Sequence, residues 1–263
     1  MSFNSPLPYI TLVLHYLTAI NDDAATATGN PEEPLVDPSC LEHRLTKDEC
    51  GRFERDGYIV IEEALSSEYL ADLTIAADEV EAEHRRQHSV DPGATVNPFD
   101  FVGRSELFWN LVDWPRTFPK VWGILGWHIQ LYHSHMMIVP PASMEVEPKR
   151  MNWHQDSSRL NWDLETDPRP RVSVKVGYFL TDTTAPETGN VFVIPGSHLR
   201  NVLELPDDGL SEPPDAVPLK VSAGSAIIFD RRVWHASGRN LSSLTRRVLY
   251  YGYSYRWLKP RDD

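Results

Sequence analysis

His154 and Asp156 stand one residue apart in Asn152-Trp153-His154-Gln155-Asp156, and His235 and Arg246 follow far along the chain. Two imidazoles and one carboxylate can grip a divalent iron by one face, leaving its other positions open for O2 and a co-substrate. A guanidinium close behind matches a carboxylate through paired hydrogen bonds, a geometry that a lysine lacks. The triplet alone proves little. With 10 histidines and 38 acidic residues, one His-x-acid triplet is expected by chance about once. Its weight depends on the elements around it.

On an extended segment, side chains alternate between faces. His154 and Asp156 then point the same way and Gln155 points away. The third ligand has to come from another strand across the same cavity. His235 suits, because Ala226-Ile227-Ile228-Phe229-Asp230 reads as a strand and Arg231 to Trp234 lead into the histidine. Arg246 and Arg247 open a further strand, and alternation turns only one of them inward; the sequence leaves open which. A buried arginine is rare without an anionic partner. Ser237 would share the orientation of His235 and offer a hydroxyl to the same carboxylate. Trp153, Trp162 and Trp234 flank the ligand positions and are candidates to wall a substrate pocket. Arg159 and Asn161 are further pocket candidates in the loop after the metal box. His198, after a Pro-Gly-Ser turn, is expected to hydrogen-bond its loop, and His128, His133 and His135 are not expected to be ligands.

Residues 45–57 begin with Thr46 and Glu49 spaced as a capping box, and Gly57 ends that helix. A strand over 58–61 and an amphipathic helix over 66–87 follow, the latter with a charged, solvated far end. A helical stretch over 108–125 is expected to be interrupted at Pro115 and Pro119. From 128 onward the pattern is one of strands: 128–139, an alternating 172–180, 191–194, 219–222, 226–229 and 247–255. Short strands after a helical first third predict a mainly β fold with α elements, a barrel or jelly roll braced by helices.

The chain has 263 residues, 41% of them hydrophobic, which supports a real core. Its net charge of −13 argues against nucleic acid and anionic membranes as partners. Cys40 and Cys50 make no metal spacing with the histidines and are expected as free thiols, which with the absence of a signal-like start predicts a cytoplasmic protein. The apolar run 6–20 is too short to span a bilayer. It is expected to pack on the domain or on a second subunit, and 21–39 reads as a linker or arm, so that an oligomer through this arm stays open.

With these pieces, the chain resembles the phytanoyl-CoA dioxygenase family of Fe(II)/2-oxoglutarate-dependent oxygenases. The resemblance rests on Leu45-Thr46 through Asp56-Gly57-Tyr58, on Trp153-His154-Gln155-Asp156, on Pro195-Gly196-Ser197-His198 and on His235-x-Ser237 with Arg246. It implies a double-stranded β-helix over 45–263, following an arm over 1–44, with Fe(II) on His154, Asp156 and His235 as the catalytic group. It also implies 2-oxoglutarate held at its distal carboxylate by Arg246 and Ser237, and O2 as second co-substrate. Where family members often carry a lysine before the Pro-Pro pair, this chain has Val139, and His135 is the candidate for a polar contact to 2-oxoglutarate there. The retained Asp156 favours hydroxylation or another oxidation over halogenation, with succinate and CO2 released. The substrate expected is a small, largely apolar metabolite or biosynthetic intermediate. Two other readings are a cupin-like protein that binds a ligand without oxidising it, and a Zn- or Mn-dependent hydrolase or isomerase; neither needs Arg246.

Overall fold

The computed structural model describes residues 41–142 and 149–259. The expectations for the N-terminal run, the linker and Cys40 lie outside these residues. Cys50 carries a free thiol at the surface. Among the described residues no helix is long and apolar enough to cross a membrane.

Helix α1 (Lys47–Asp56) starts at the expected capping box. The Glu49 amide donates to Thr46 Oγ1 (3.2 Å) and the Thr46 amide to Glu49 Oε2 (2.9 Å). Gly57 closes it in the left-handed region at φ 84°. Only glycine fits there for a second reason, since a Cβ would come within 2.6 Å of His198 Nδ1. Then come β1 (Tyr58–Ile61), α2 (Ser67–His88), the short α3 (Glu106–Trp109) and α4 (Phe118–Leu125). Pro119 does not interrupt α4. It sits in the first turn, where no intrahelical N–H is lost.

The strands β2 (Ile129–Val139), β3 (Ser173–Phe179), β6 (Ala226–Asp230) and β8 (Arg246–Tyr255) join β1 in an antiparallel sheet ordered β1-β6-β3-β8-β2. A smaller sheet is ordered β5-β4-β7, from β4 (Val191–Val193), β5 (Val217–Pro218) and β7 (His235–Ser237). The strand expected over 219–222 is instead the two-residue β5 just before it. The two sheets face each other as a jelly roll, the fold that the sequence predicts.

The larger sheet is covered on both sides. Val174, Val176, Tyr178, Leu249, Tyr251 and Tyr253 share one core with Phe53, Leu73 and Phe108 of the helical layer. Phe179, Val248 and Tyr250 of the opposite face meet Val191 and Val193 of the smaller sheet. All seven residues of β3 are therefore buried. The alternation in its sequence separates two interiors, not inside from outside. Gly177 allows this on the inner face, since a Cβ would press to 2.7 Å from the Tyr250 ring.

The far end of α2 is less solvated than its charges imply. Arg247 Nε lies 2.8 Å from Asp78 and its NH2 3.0 Å from Glu81, and Arg85 pairs with Glu81 at 2.9 Å. The helix thus clamps the start of β8. At the end of β6, the fully buried Asp230 takes Arg232 Nε (2.8 Å) and Arg171 Nε (2.8 Å), and Arg171 continues to Glu54 on α1. Burial alone would raise the Asp230 carboxyl, but the two guanidinium groups hold it below its ordinary value. Replacing Asp230 by Asn strands Arg232 and leaves Arg171 with Glu54 as its one carboxylate. It is expected to cost about 3–5 kcal/mol in urea unfolding at neutral pH. Because the carboxyl is depressed in the folded state, the difference from wild type is fully present above about pH 4 and shrinks as pH falls further.

Candidate active site

The metal box and β7 meet through the backbone. The His154 amide donates to the His235 carbonyl and the His235 amide to the His154 carbonyl, both at 3.0 Å. This antiparallel bridge adds the box to the edge of the smaller sheet and sets the two imidazoles at 4.3 Å between centroids. Asp156 follows on the same side, its amide donating to Arg231 O (2.9 Å). One donor atom each from His154, Asp156 and His235 falls within 4.8 Å of the others. Gln155 points the opposite way into a buried site, donating from Nε2 to Arg200 O (3.0 Å) and Arg232 O (2.5 Å) and accepting from Arg169 (2.5 Å). The middle residue of the triplet thus anchors the box while its neighbours face the cavity.

Both histidines present the same nitrogen. His154 Nδ1 lies 2.9 Å from Asn152 O and His235 Nδ1 2.9 Å from Val233 O. A carbonyl only accepts, so each Nδ1 carries the proton and each Nε2 keeps its lone pair for a metal. Burial is the main cause that pushes His235 down to about 4, which keeps it neutral. For Asp156, burial pulls the carboxyl up, but the Lys175 ammonium beside it holds it well below the usual carboxylate range. Lys175 Nζ stands 2.7 Å from Asp156 Oδ2. Two imidazoles with Nε2 free and an ionised carboxylate are a donor set that fits Fe(II).

Arg246 faces this cavity and Arg247 faces α2. The Arg246 side chain is fully buried, with NH1 3.3 Å from Ser237 Oγ and NH2 3.4 Å from Tyr250 OH. Its Nε has no partner, and no carboxylate among the described residues pairs with it. His135 stacks on Tyr250 (5.0 Å between centroids) and bonds His133 at 2.9 Å. Burial, then Lys175, holds it well below its ordinary pKa. A cleft of about 430 Å³ opens between the sheet edges over Met137, Asn152 and Ser237. A larger hollow of about 590 Å³ by Glu165 and Asn201 contains none of these groups.

The other candidates have contacts of their own. Trp153 is buried, its indole N–H donating to Glu212 (2.6 Å), and Trp234 donates to Arg200 O. Both pin neighbouring loops. Arg159 is at the surface with Asp163 (3.0 Å), Trp162 is exposed, and Asn161 holds the buried Arg231. His198 is buried beside Gly57, away from the triad, and neither of its ring nitrogens has a hydrogen-bond partner. The hydrogen bond from its ring to its own loop that the sequence suggests is not formed. Lys175 and Tyr250 escaped the sequence reading. The available signal was a charged residue in the middle of an otherwise uncharged strand.

A model of the family described as phytanoyl-CoA dioxygenase (PhyH) matches residues 53–248. The chain belongs to the phytanoyl-CoA dioxygenase family. It is therefore an enzyme of the dioxygenase class, and the expected pair of Fe(II) and 2-oxoglutarate stands with that membership. It is 27% identical to an ectoine dioxygenase of Stutzerimonas stutzeri over 85% of this chain and 82% of the relative. Among solved structures it is similar in fold to HygX from Streptomyces hygroscopicus with nickel and 2-oxoglutarate bound (TM-score 0.63, 19% identity, 83% of this chain and 90% of that one). EctD from S. alaskensis with 2-oxoglutarate and 5-hydroxyectoine is similar too (TM-score 0.63, 21% identity, 87% and 84%).

A ligand that binds only the folded state raises its stability, by about 2.7 kcal/mol at a hundred times its Kd. Added Mn(II) is therefore expected to raise the melting temperature of the wild-type protein and to lose most of that shift in His235→Ala, read by calorimetry.

Proposed function

We propose that this protein hydroxylates a small metabolite using Fe(II), 2-oxoglutarate and O2. Nε2 of His154, Nε2 of His235 and the Asp156 carboxylate would hold the iron. Arg246, with the Ser237 hydroxyl, would take the distal carboxylate of 2-oxoglutarate. The observation that carries this reading is Arg246, a fully buried guanidinium with an unpartnered Nε in the cavity of the triad. Such a group costs free energy unless an anion completes it. Neither a ligand-binding cupin nor a metal hydrolase or isomerase requires it.

When bound, iron with 2-oxoglutarate supplies the oxidising power from O2, the co-substrate leaving as succinate and CO2. The protein's own share is to position and to exclude water. The Nδ1 protons held by backbone carbonyls fix both imidazole planes. Tyr250 and Ser237 orient the guanidinium, and the two buried faces of β3 and β8 close the cavity floor.

Hydroxylation as the outcome is supported by the relatives named for ectoine oxidation and by the retained carboxylate of Asp156. The cleft lining favours a substrate narrower than the sequence reading implies. Thr95, Asn97 and Asn152 offer hydrogen-bonding groups there, so the metabolite accepted carries polar groups as well as an apolar frame.

With Fe(II), ascorbate and 2-oxoglutarate, the protein is expected to form succinate, faster in the presence of the right metabolite from a substrate panel. Arg246→Lys keeps the charge but loses the paired geometry. It is expected to raise KM for 2-oxoglutarate by about tenfold or more with a smaller change in kcat. Asp156→Gly should abolish hydroxylation. Absence of succinate under every condition would favour the ligand-binding alternative.

A further inference from the structure

Lys175 is buried on the inner face of β3, and its only acidic partner among the described residues is Asp156. The rest of its surroundings bring no negative charge. Its ammonium stands 5.9 Å from the Phe229 ring centroid and 5.7 Å from that of Tyr250. The cavity thus contains one carboxylate, Asp156, against two cations, Lys175 and Arg246.

One carboxylate is then asked to serve two positive partners. A divalent ion bonded to Asp156 would share it with an ammonium 2.7 Å from the same group, and buried charges are poorly screened. Like charges crowded in such a place repel. A dianion entering with the metal removes the excess, and Lys175 then attracts it. The sign of the effect follows from Coulomb's law alone: the lysine disfavours the bare ion and favours the ion accompanied by a dianion.

We propose that Lys175 couples the two ligands, making metal binding depend on 2-oxoglutarate and 2-oxoglutarate binding depend on the metal. The inference rests on the oxygenase reading above. Lys175 is a positioning and charge-balancing residue here, acting through Asp156. By linkage, the same factor must appear in either ligand's affinity.

The measurement is Mn(II) affinity by electron paramagnetic resonance, without O2, in the absence and in the presence of saturating 2-oxoglutarate. The ratio of the two dissociation constants is the coupling. In Lys175→Met, which retains the length and apolar stem, the ratio is expected to fall about tenfold. In Lys175→Arg, which retains the charge, it should stay within about threefold of wild type. A fall of less than about threefold in Lys175→Met overturns the proposal, whichever way the affinity for bare Mn(II) moves, because a lysine that merely held Asp156 in place would weaken both constants together. An equal fall in Lys175→Arg also overturns it, since shape and not charge would then be responsible. If Lys175→Met does not fold by circular dichroism, Lys175→Gln is measured against the same criterion. Wild-type protein that binds Mn(II) with no response to 2-oxoglutarate, or no Mn(II) at all, overturns the oxygenase reading together with this one. Coupling intact in wild type and unchanged in Lys175→Met overturns this one alone.

Discussion

The site depends on two backbone hydrogen bonds, exchanged between His154 and His235 at 3.0 Å. They lay the metal box along β7 and bring together side chains from distant parts of the chain. An antiparallel pair of this kind sets opposite residues close, with side chains on the same face. Everything that locates the box serves this register. Gln155 is buried behind it with three hydrogen bonds, and the Asp156 amide is held by Arg231 O. On the β7 side, the loop from Asp230 to His235 is tied by the Arg171–Asp230–Arg232 cluster. A slip of one residue would turn both ligands away from the cavity.

The second constraint is electrostatic. The cavity is walled by aromatic and aliphatic groups, yet contains Asp156, Lys175, Arg246 and the imidazoles of His135 and His235. Burial opposes each charge, so each must be matched. Lys175 is matched by Asp156, whereas Arg246 has only hydroxyl partners. The same burial that keeps His235 unprotonated leaves the Arg246 guanidinium in need of an anion. A neutral His235 and an unmatched Arg246 thus arise from one feature, the interior between two sheets.

The helical layer contributes at a distance. It covers the outer face of the larger sheet, which lets β3 and β8 be buried on both sides. Its acidic residues Asp78 and Glu81 take Arg247. With that residue held outside, the alternation of β8 delivers Arg246 to the interior.

Much of this was legible in the residues themselves. The capping box at Thr46, the helix end at Gly57, most of the strands and the His-x-Asp triplet facing His235 with Gln155 turned away all follow from local geometry and residue chemistry, and those are properties of short segments. The tertiary structure decided what depends on two segments at once. It turned Arg246 inward and not Arg247, because α2 offers carboxylates to only one of them. It placed Trp153 against Glu212 and Asn161 against Arg231. It also revealed Lys175, whose alternating strand looks half exposed until a second layer covers its other face. A sequence records which residues share a face; which faces become interior is settled only when the layers pack.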